Sequence, residues 1–122
     1  MIPIHLFNKF IVGGDSAVIG DMSSTITSLP INIDEAVNYS IQAVMTGSPV
    51  GTIQIQASND ILLSSGTVPQ NWTTIPTSTS SITSSGTYLI NVEFPAYSWV
   101  QLLYTAISGS GTMVANINAK RL

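Results

Sequence analysis

From Ser23 onward the chain alternates apolar and polar residues with period two, the spacing of strands that bury one face. Apolar runs rich in Ile, Val, Thr and Tyr recur about every ten residues between Gly, Pro, Ser or Asn clusters, as in a sandwich or barrel. The pattern predicts strands near 24–29, 37–46, 51–58, 72–75, 80–84, 87–94, 98–107 and 112–119. Helical signals are confined to Asp34-Glu35-Ala36-Val37, which runs straight into a strand pattern. The expected fold is all-β: a single-domain antiparallel β-sandwich, jelly-roll-like, with about eight strands.

Register sharpens this reading, because opposed residues of an antiparallel pair share a face. With 108–111 as a four-residue hairpin loop, Ala106 opposes Met113, Tyr104 opposes Ala115, Leu102 opposes Ile117 and Val100 opposes Ala119. The other face sets Trp99 against Lys120, Gln101 against Asn118, Leu103 against Asn116 and Thr105 against Val114. A second hairpin around 47–51 opposes Met45 to Ile53, Ala43 to Ile55 and Ile41 to Ala57, with Val44 facing Gln54 on the polar side. Tyr88, Ile90, Val92 and Phe94 form another apolar face. The link from it through Pro95-Ala96-Tyr97 to Val100 fits either a hairpin or a crossing between sheets.

Residues 1–22 alternate poorly and contain Gly13-Gly14 and Gly20-Asp21, so they read as an N-terminal arm or edge segment beside a sandwich of residues 23–122. Residues 59–71 form a turn-rich loop. Residues 76–87, low in complexity, read as a weakly paired polar strand between loops.

Composition narrows the function. Only 7% of the 122 residues are charged, whereas an average soluble domain has about a quarter. Hydrophobic residues make up 44%, and mean hydropathy is +0.37. That balance excludes a disordered chain. Three cations in a chain of net charge −3 exclude nucleic-acid binding through a basic patch. No apolar run approaches the ~18 to 20 residues that cross a bilayer, so no membrane span is expected. The first ten residues lack the basic, apolar, small order of a signal peptide. The missing charge is replaced by 17 Ser and 13 Thr. A surface with so little charge has little repulsion to keep copies apart, which suits a homo-oligomer.

Candidate chemistry is sparse. Without cysteine, and with His5 as the one histidine, a zinc site would need carboxylates for nearly every ligand. The chain contains no Gly-x-Ser-x-Gly elbow to present a nucleophile. Asp34 and Glu35 are adjacent and point to opposite sides of an extended segment, which does not make a glycosidase pair. Asp60 follows Asn59 in an Asx-type turn, Glu93 lies outward beside Asn91, and Asp15 and Asp21 at most share a loop. Gly109-Ser110-Gly111 lacks the following helix of a phosphate loop. The expectation is a protein without enzymatic activity or cofactor.

Aromatic placement says more. Tyr39, Tyr88, Phe94 and Tyr104 fall on core faces, leaving Trp72, Tyr97 and Trp99 for the surface. Trp99 shares its outward face with Gln101 and Leu103. These five residues, Trp99, Leu103, Gln101, Trp72 and Tyr97, form the candidate interface. A carbohydrate platform built on the three aromatics is the alternative.

The stretch Ile41–Asp60, then Asn71-Trp72-Thr73-Thr74-Ile75, Ser85-Gly86-Thr87-Tyr88, Trp99-Val100-Gln101-Leu102-Leu103-Tyr104, Ser108-Gly109-Ser110-Gly111-Thr112 and Asn116-Ile117-Asn118-Ala119-Lys120 occur in one order. Together they resemble small β-sandwich proteins and domains encoded among the virion genes of bacterial viruses. The resemblance covers about residues 37–122. It implies a virion structural component without an active site: a capsid-associated, vertex, spike-base or decoration subunit, assembled in the host cytoplasm. Its expected partners are copies of itself and other virion proteins.

Overall fold

The structure, a computed structural model, describes residues 5–12, 20–34, 36–61, 67–93 and 95–121, and of 5–12 and Arg121 the backbone alone. Among these residues the chain forms β1 (His5–Val12), β2 (Gly20–Asp21), β3 (Ile26–Thr27), β4 (Ile31–Asn32), β5 (Asn38–Gly47) and β6 (Val50–Ser58). It continues through β7 (Thr73–Thr74), β8 (Ser80–Ile82), β9 (Gly86–Glu93), β10 (Trp99–Ser108) and β11 (Gly111–Arg121). The eight expected strands are all present. The additional β1, β2 and β4 fall where alternation is poor or too brief to read.

The strands form a five-stranded sheet in the order β1-β11-β5-β9, with β2 also on β11. They face a six-stranded sheet in the order β3-β10-β6-β7, with β4 also on β10 and β8 on β6. Every pairing is antiparallel. This is a β-sandwich.

The core lies between the two inner faces. Tyr39, Ile41, Ala43 and Met45 of β5 and Met113, Ala115, Ile117 and Ala119 of β11 supply one side, each at most 4% exposed. Ile53 and Ile55 of β6 and Val100, Leu102 and Tyr104 of β10 supply the other, all at 0%. Removing a side chain of Leu or Ile size from water contributes about 1.5 to 3 kcal/mol.

The faces therefore follow the alternation, but the expected pairings do not occur. β10 and β11 lie in different sheets, so Tyr104 pairs with Ile53 instead of Ala115, and Ala115 pairs with Ala43. β5 and β6 are likewise split, Ile41 pairing with Ile117 and Ile90 where Ala57 was expected. The link from β9 to β10 also crosses between sheets. A hairpin puts matched apolar residues side by side on one face. An arch puts them opposite each other across the core, and the sequence pattern is the same.

Two arches lock together at one end of the sandwich. Ser48 N donates to Ser110 O at 2.8 Å, and Gly109 adopts φ +75° against the Ser48 carbonyl. A Cβ on Gly109 would stand 2.2 Å from that oxygen, closer than any side chain can approach.

At the helical candidate the described residues on either side of Glu35 make turn contacts instead. Asn32 Oδ1 accepts from Asp34 N at 3.1 Å, Ala36 N donates to Ile33 O at 3.0 Å, and Ile31 and Ile33 anchor the segment in the core. The low-complexity stretch holds a fixed point as well: Ser78 is 1% exposed, accepts from Ile55 N at 3.1 Å and donates to Ile75 O at 2.7 Å.

Candidate interaction surface

Strand β10 turns Val100, Leu102 and Tyr104 inward, so Trp99, Gln101, Leu103 and Thr105 point outward. Register builds rows across this outer face. Asn32, Trp99 and Ser58 lie level, followed by Gln101, Gln56 and Thr74. Thr27, Leu103 and Gln54 come next, and then Thr105, Thr52 and Ser81. None of these twelve positions carries a charge.

Gln101 sits at the centre of the face, yet is only 7% exposed. Its amide Nε2 donates to Gln56 Oε1 at 2.8 Å. Half-buried Trp99 and Leu103 flank it along the strand. The result is a stripe of indole, paired amide and isobutyl group. Covering such a stripe with protein costs far less than covering charges, because its central amide is already desolvated and partnered.

The other two candidates sit elsewhere. Trp72 immediately precedes β7, whose Thr73 pairs with Ala57, so it enters the sheet at the level of Ser58, the residue opposite Trp99. Its indole Nε1 donates to Pro69 O at 3.2 Å. Tyr97 packs against the core: its hydroxyl lies 2.5 Å from that of Tyr39, with the rings edge-on at 6.3 Å. Burial raises the pKa of both phenols, and the shared hydrogen bond raises that of Tyr39 further. Thus Trp99, Gln101 and Leu103 form one surface, Trp72 borders it, and Tyr97, partly buried, packs against the core apart from them.

Tyr97 also walls a concavity of about 510 Å³ that includes Asp60, Asn71 and Thr73. The Asp60 carboxylate there accepts from Gln70 N at 2.6 Å, Asn71 N at 2.9 Å and Asn71 Nδ2 at 3.1 Å. Those bonds, the Gln70 amide first, hold its carboxyl below the usual range. They also close the loop between β6 and β7, so this carboxylate is occupied with structure. Asp21 is likewise engaged by the amide and hydroxyl of Ser23. Among the described residues no three His, Cys, Asp or Glu side chains gather as metal ligands. Asp15 and the side chain of His5 lie outside the described residues, as do Glu35 and Phe94.

The alternation misses one apolar feature. On the outer face of the five-stranded sheet, Val44 is 46% exposed and Leu89 is 59% exposed. Val44 lies between Val114 and Thr87, and Leu89 lies beside Gln42. Judged against its expected neighbour Gln54, Val44 reads as polar-face filler. Beside its real neighbour Val114 it is part of an apolar spot.

No protein-family model matches this chain, and no curated protein does. Solved structures do. The SPBc2 prophage-derived protein YomS is similar over 97% of this chain and 96% of its own, with 8% identity and a TM-score of 0.55. Tripeptidyl peptidase 2 is similar over 93% of this chain but only 10% of its own, with 11% identity and a TM-score of 0.53. A chitosan-binding module of a Paenibacillus chitosanase/glucanase overlaps 93% of this chain and 92% of its own at 17% identity, with a TM-score of 0.41. At such identities a likeness establishes the fold alone, and the fold it establishes is a β-sandwich of the same extent as the prophage-derived protein.

Proposed function

We propose that this chain is a non-enzymatic structural subunit of a bacterial virus particle, acting by packing on copies of itself and on other virion proteins. The observation that carries the reading is the uncharged outer face of the six-stranded sheet, with Trp99 and Leu103 astride the Gln101–Gln56 pair. A monomer that stays dispersed normally spreads charges over such a face. The fold shared with a prophage-derived protein supports the same assignment.

The test is light scattering at micromolar concentration combined with Trp99→Ala. The parent chain should exceed its 12.9 kDa monomer mass. Trp99→Ala should lower that mass while the subunit remains folded, since a buried aromatic anchor contributes ~2 kcal/mol or more to a contact. Tryptophan quenching in a Trp72→Phe background should show Trp99 shielded on assembly. A clean monomer over a hundredfold concentration range, or a Trp99 that stays fully quenchable and is protected by a glycan, would sink the reading.

A further inference from the structure

We propose that β9 is an assembly edge: two copies of this chain pair antiparallel through residues 86–92, with Leu89 opposite Leu89, joining their five-stranded sheets into one. The inference rests on the assembly reading above but uses a different surface.

An unpaired sheet edge is a template for another strand, and edges are usually blunted by shortness, a bulge, proline or lysine. Three edges of this sandwich are blunted. The six-stranded sheet ends in β3 and β4 on one side and β7 and β8 on the other, each two or three residues long. β1, at one edge of the five-stranded sheet, contains Lys9 and shifts register between Phe10 and Val12. Among the described residues β9, at the opposite edge, has none of these devices. It runs eight residues in unbroken register with β5, from Met45↔Gly86 to Asn38↔Glu93. It contains no proline or cation, and its one charge, Glu93, stands at the end.

The core is also open along this edge. Tyr88, Ile90 and Val92 point inward, yet each remains half-buried. Their partners on β5, Ala43, Ile41 and Tyr39, are at most 3% exposed. A strand added beside β9 would cover what β5 covers for its own neighbours.

The strand suits its own copy. Opposed residues of an antiparallel pair must share a face, so a strand meets itself only in registers that pair odd with odd and even with even numbers. With Leu89 on the twofold axis, Tyr88 faces Ile90 of the second copy, Thr87 faces Asn91 and Gly86 faces Val92. Core-facing residues then meet core-facing residues, the exposed Leu89 is covered by its equivalent, and the two Glu93 carboxylates fall outside the overlap.

Because the chain has no cysteine, single cysteines report this geometry without background. Opposed Cα atoms lie about 4.5 to 5.5 Å apart in an antiparallel pair, within disulfide range. Leu89→Cys at micromolar concentration under mild oxidant should form a covalent dimer at least roughly tenfold faster than Leu29→Cys, because pairing raises the local thiol concentration. Leu29 is the control because it is 77% exposed and lies between β3 and β4, which belong to the other sheet. Thr87→Cys should crosslink poorly with itself and readily with Asn91→Cys. Equal rates for Leu89→Cys and Leu29→Cys would overturn the edge pairing, as would self-crosslinking of Thr87→Cys as fast as the mixture. If these fail while Trp99-dependent assembly persists, the edge alone is wrong. If crosslinking succeeds and Trp99→Ala changes no assembly mass, the face reading is wrong and the edge stands.

Discussion

Tyr104 carries an unusual burden for a core residue. Its side chain is fully buried, and its hydroxyl has no hydrogen-bond partner among the described residues. The ring lies across the face of Gly51, where a Cβ would stand 2.7 Å from the hydroxyl oxygen and 2.3 Å from Thr105 O. A buried hydroxyl without a partner costs about 1 to 3 kcal/mol, whereas the ring itself supplies packing. Tyr104→Phe removes the cost and keeps the ring, so it should leave stability unchanged or raise it by up to ~2 kcal/mol. Tyr104→Ala removes the ring and should cost roughly 3 to 5 kcal/mol. Tyr88 is the internal control: its hydroxyl donates to Ser78 O at 2.7 Å, so Tyr88→Phe should cost about 1 kcal/mol. Urea unfolding at one fixed protein concentration, followed by tryptophan fluorescence, measures all three, and the slope should be unchanged for the two Phe variants. A loss above ~1 kcal/mol for Tyr104→Phe would show that the hydroxyl is bonded in solution and refute the argument.

Gly109→Ala should destabilise the subunit by more than ~1 kcal/mol in the same assay, since it adds a Cβ 2.2 Å from Ser48 O at a positive φ. Asp60 has its folded pKa depressed by the Gln70 and Asn71 bonds, so its contribution is complete above the ordinary value of 3.8 and is lost as pH falls through the folded value. Asp60→Asn should therefore flatten the stability profile below pH 3.8, and an unchanged acid limb would count against the loop clamp. All four tyrosines are raised above the ordinary value of 10, chiefly by burial, Tyr88 to about 12. Their contribution is present below pH 10 and lost as pH rises through the folded values, so phenolate absorbance should appear together with alkaline unfolding and not as a free titration at pH 10.

Period-two alternation reports which face of a strand is buried and says nothing about which strand lies beside it. That is why Trp99 and Leu103 are legible as outward residues from the sequence, and why Val100, Leu102 and Tyr104 are legible as core. Partners are not legible. Met113 matches Ala106 across a short loop as well as it matches Met45, its real neighbour 68 residues earlier. The Gln101–Gln56 pair spans 45 residues, and the Tyr39–Tyr97 contact spans 58. No local pattern signals either. The exposed Val44–Val114 spot is hidden for the same reason, since each residue looks isolated until β5 and β11 are known to be neighbours. Two-residue strands such as β2 and β4 are too short to show any period.

The two proposed contacts differ in what symmetry permits. Pairing β9 with β9 is isologous: the same edge is used by both copies, so it closes at a dimer and consumes itself. The face around Trp99 belongs to the other sheet, on the far side of the core from β5 and β11, so it stays available in that dimer. Growth beyond two copies then needs a second surface, and the Trp99 face is the one proposed above. A face contact that is also isologous closes the particle only where its twofold axis meets the edge axis at a closing angle, whereas a face that meets some other surface gives a ring where the rotation closes and a filament where it does not. The twelve outward positions carry no charge, and the Asp34 carboxylate on Asn32 stands only at their rim, so electrostatics contributes little to choosing between these outcomes. The choice falls to shape around Trp99 and Leu103, which flank the Gln101–Gln56 amide pair along the strand.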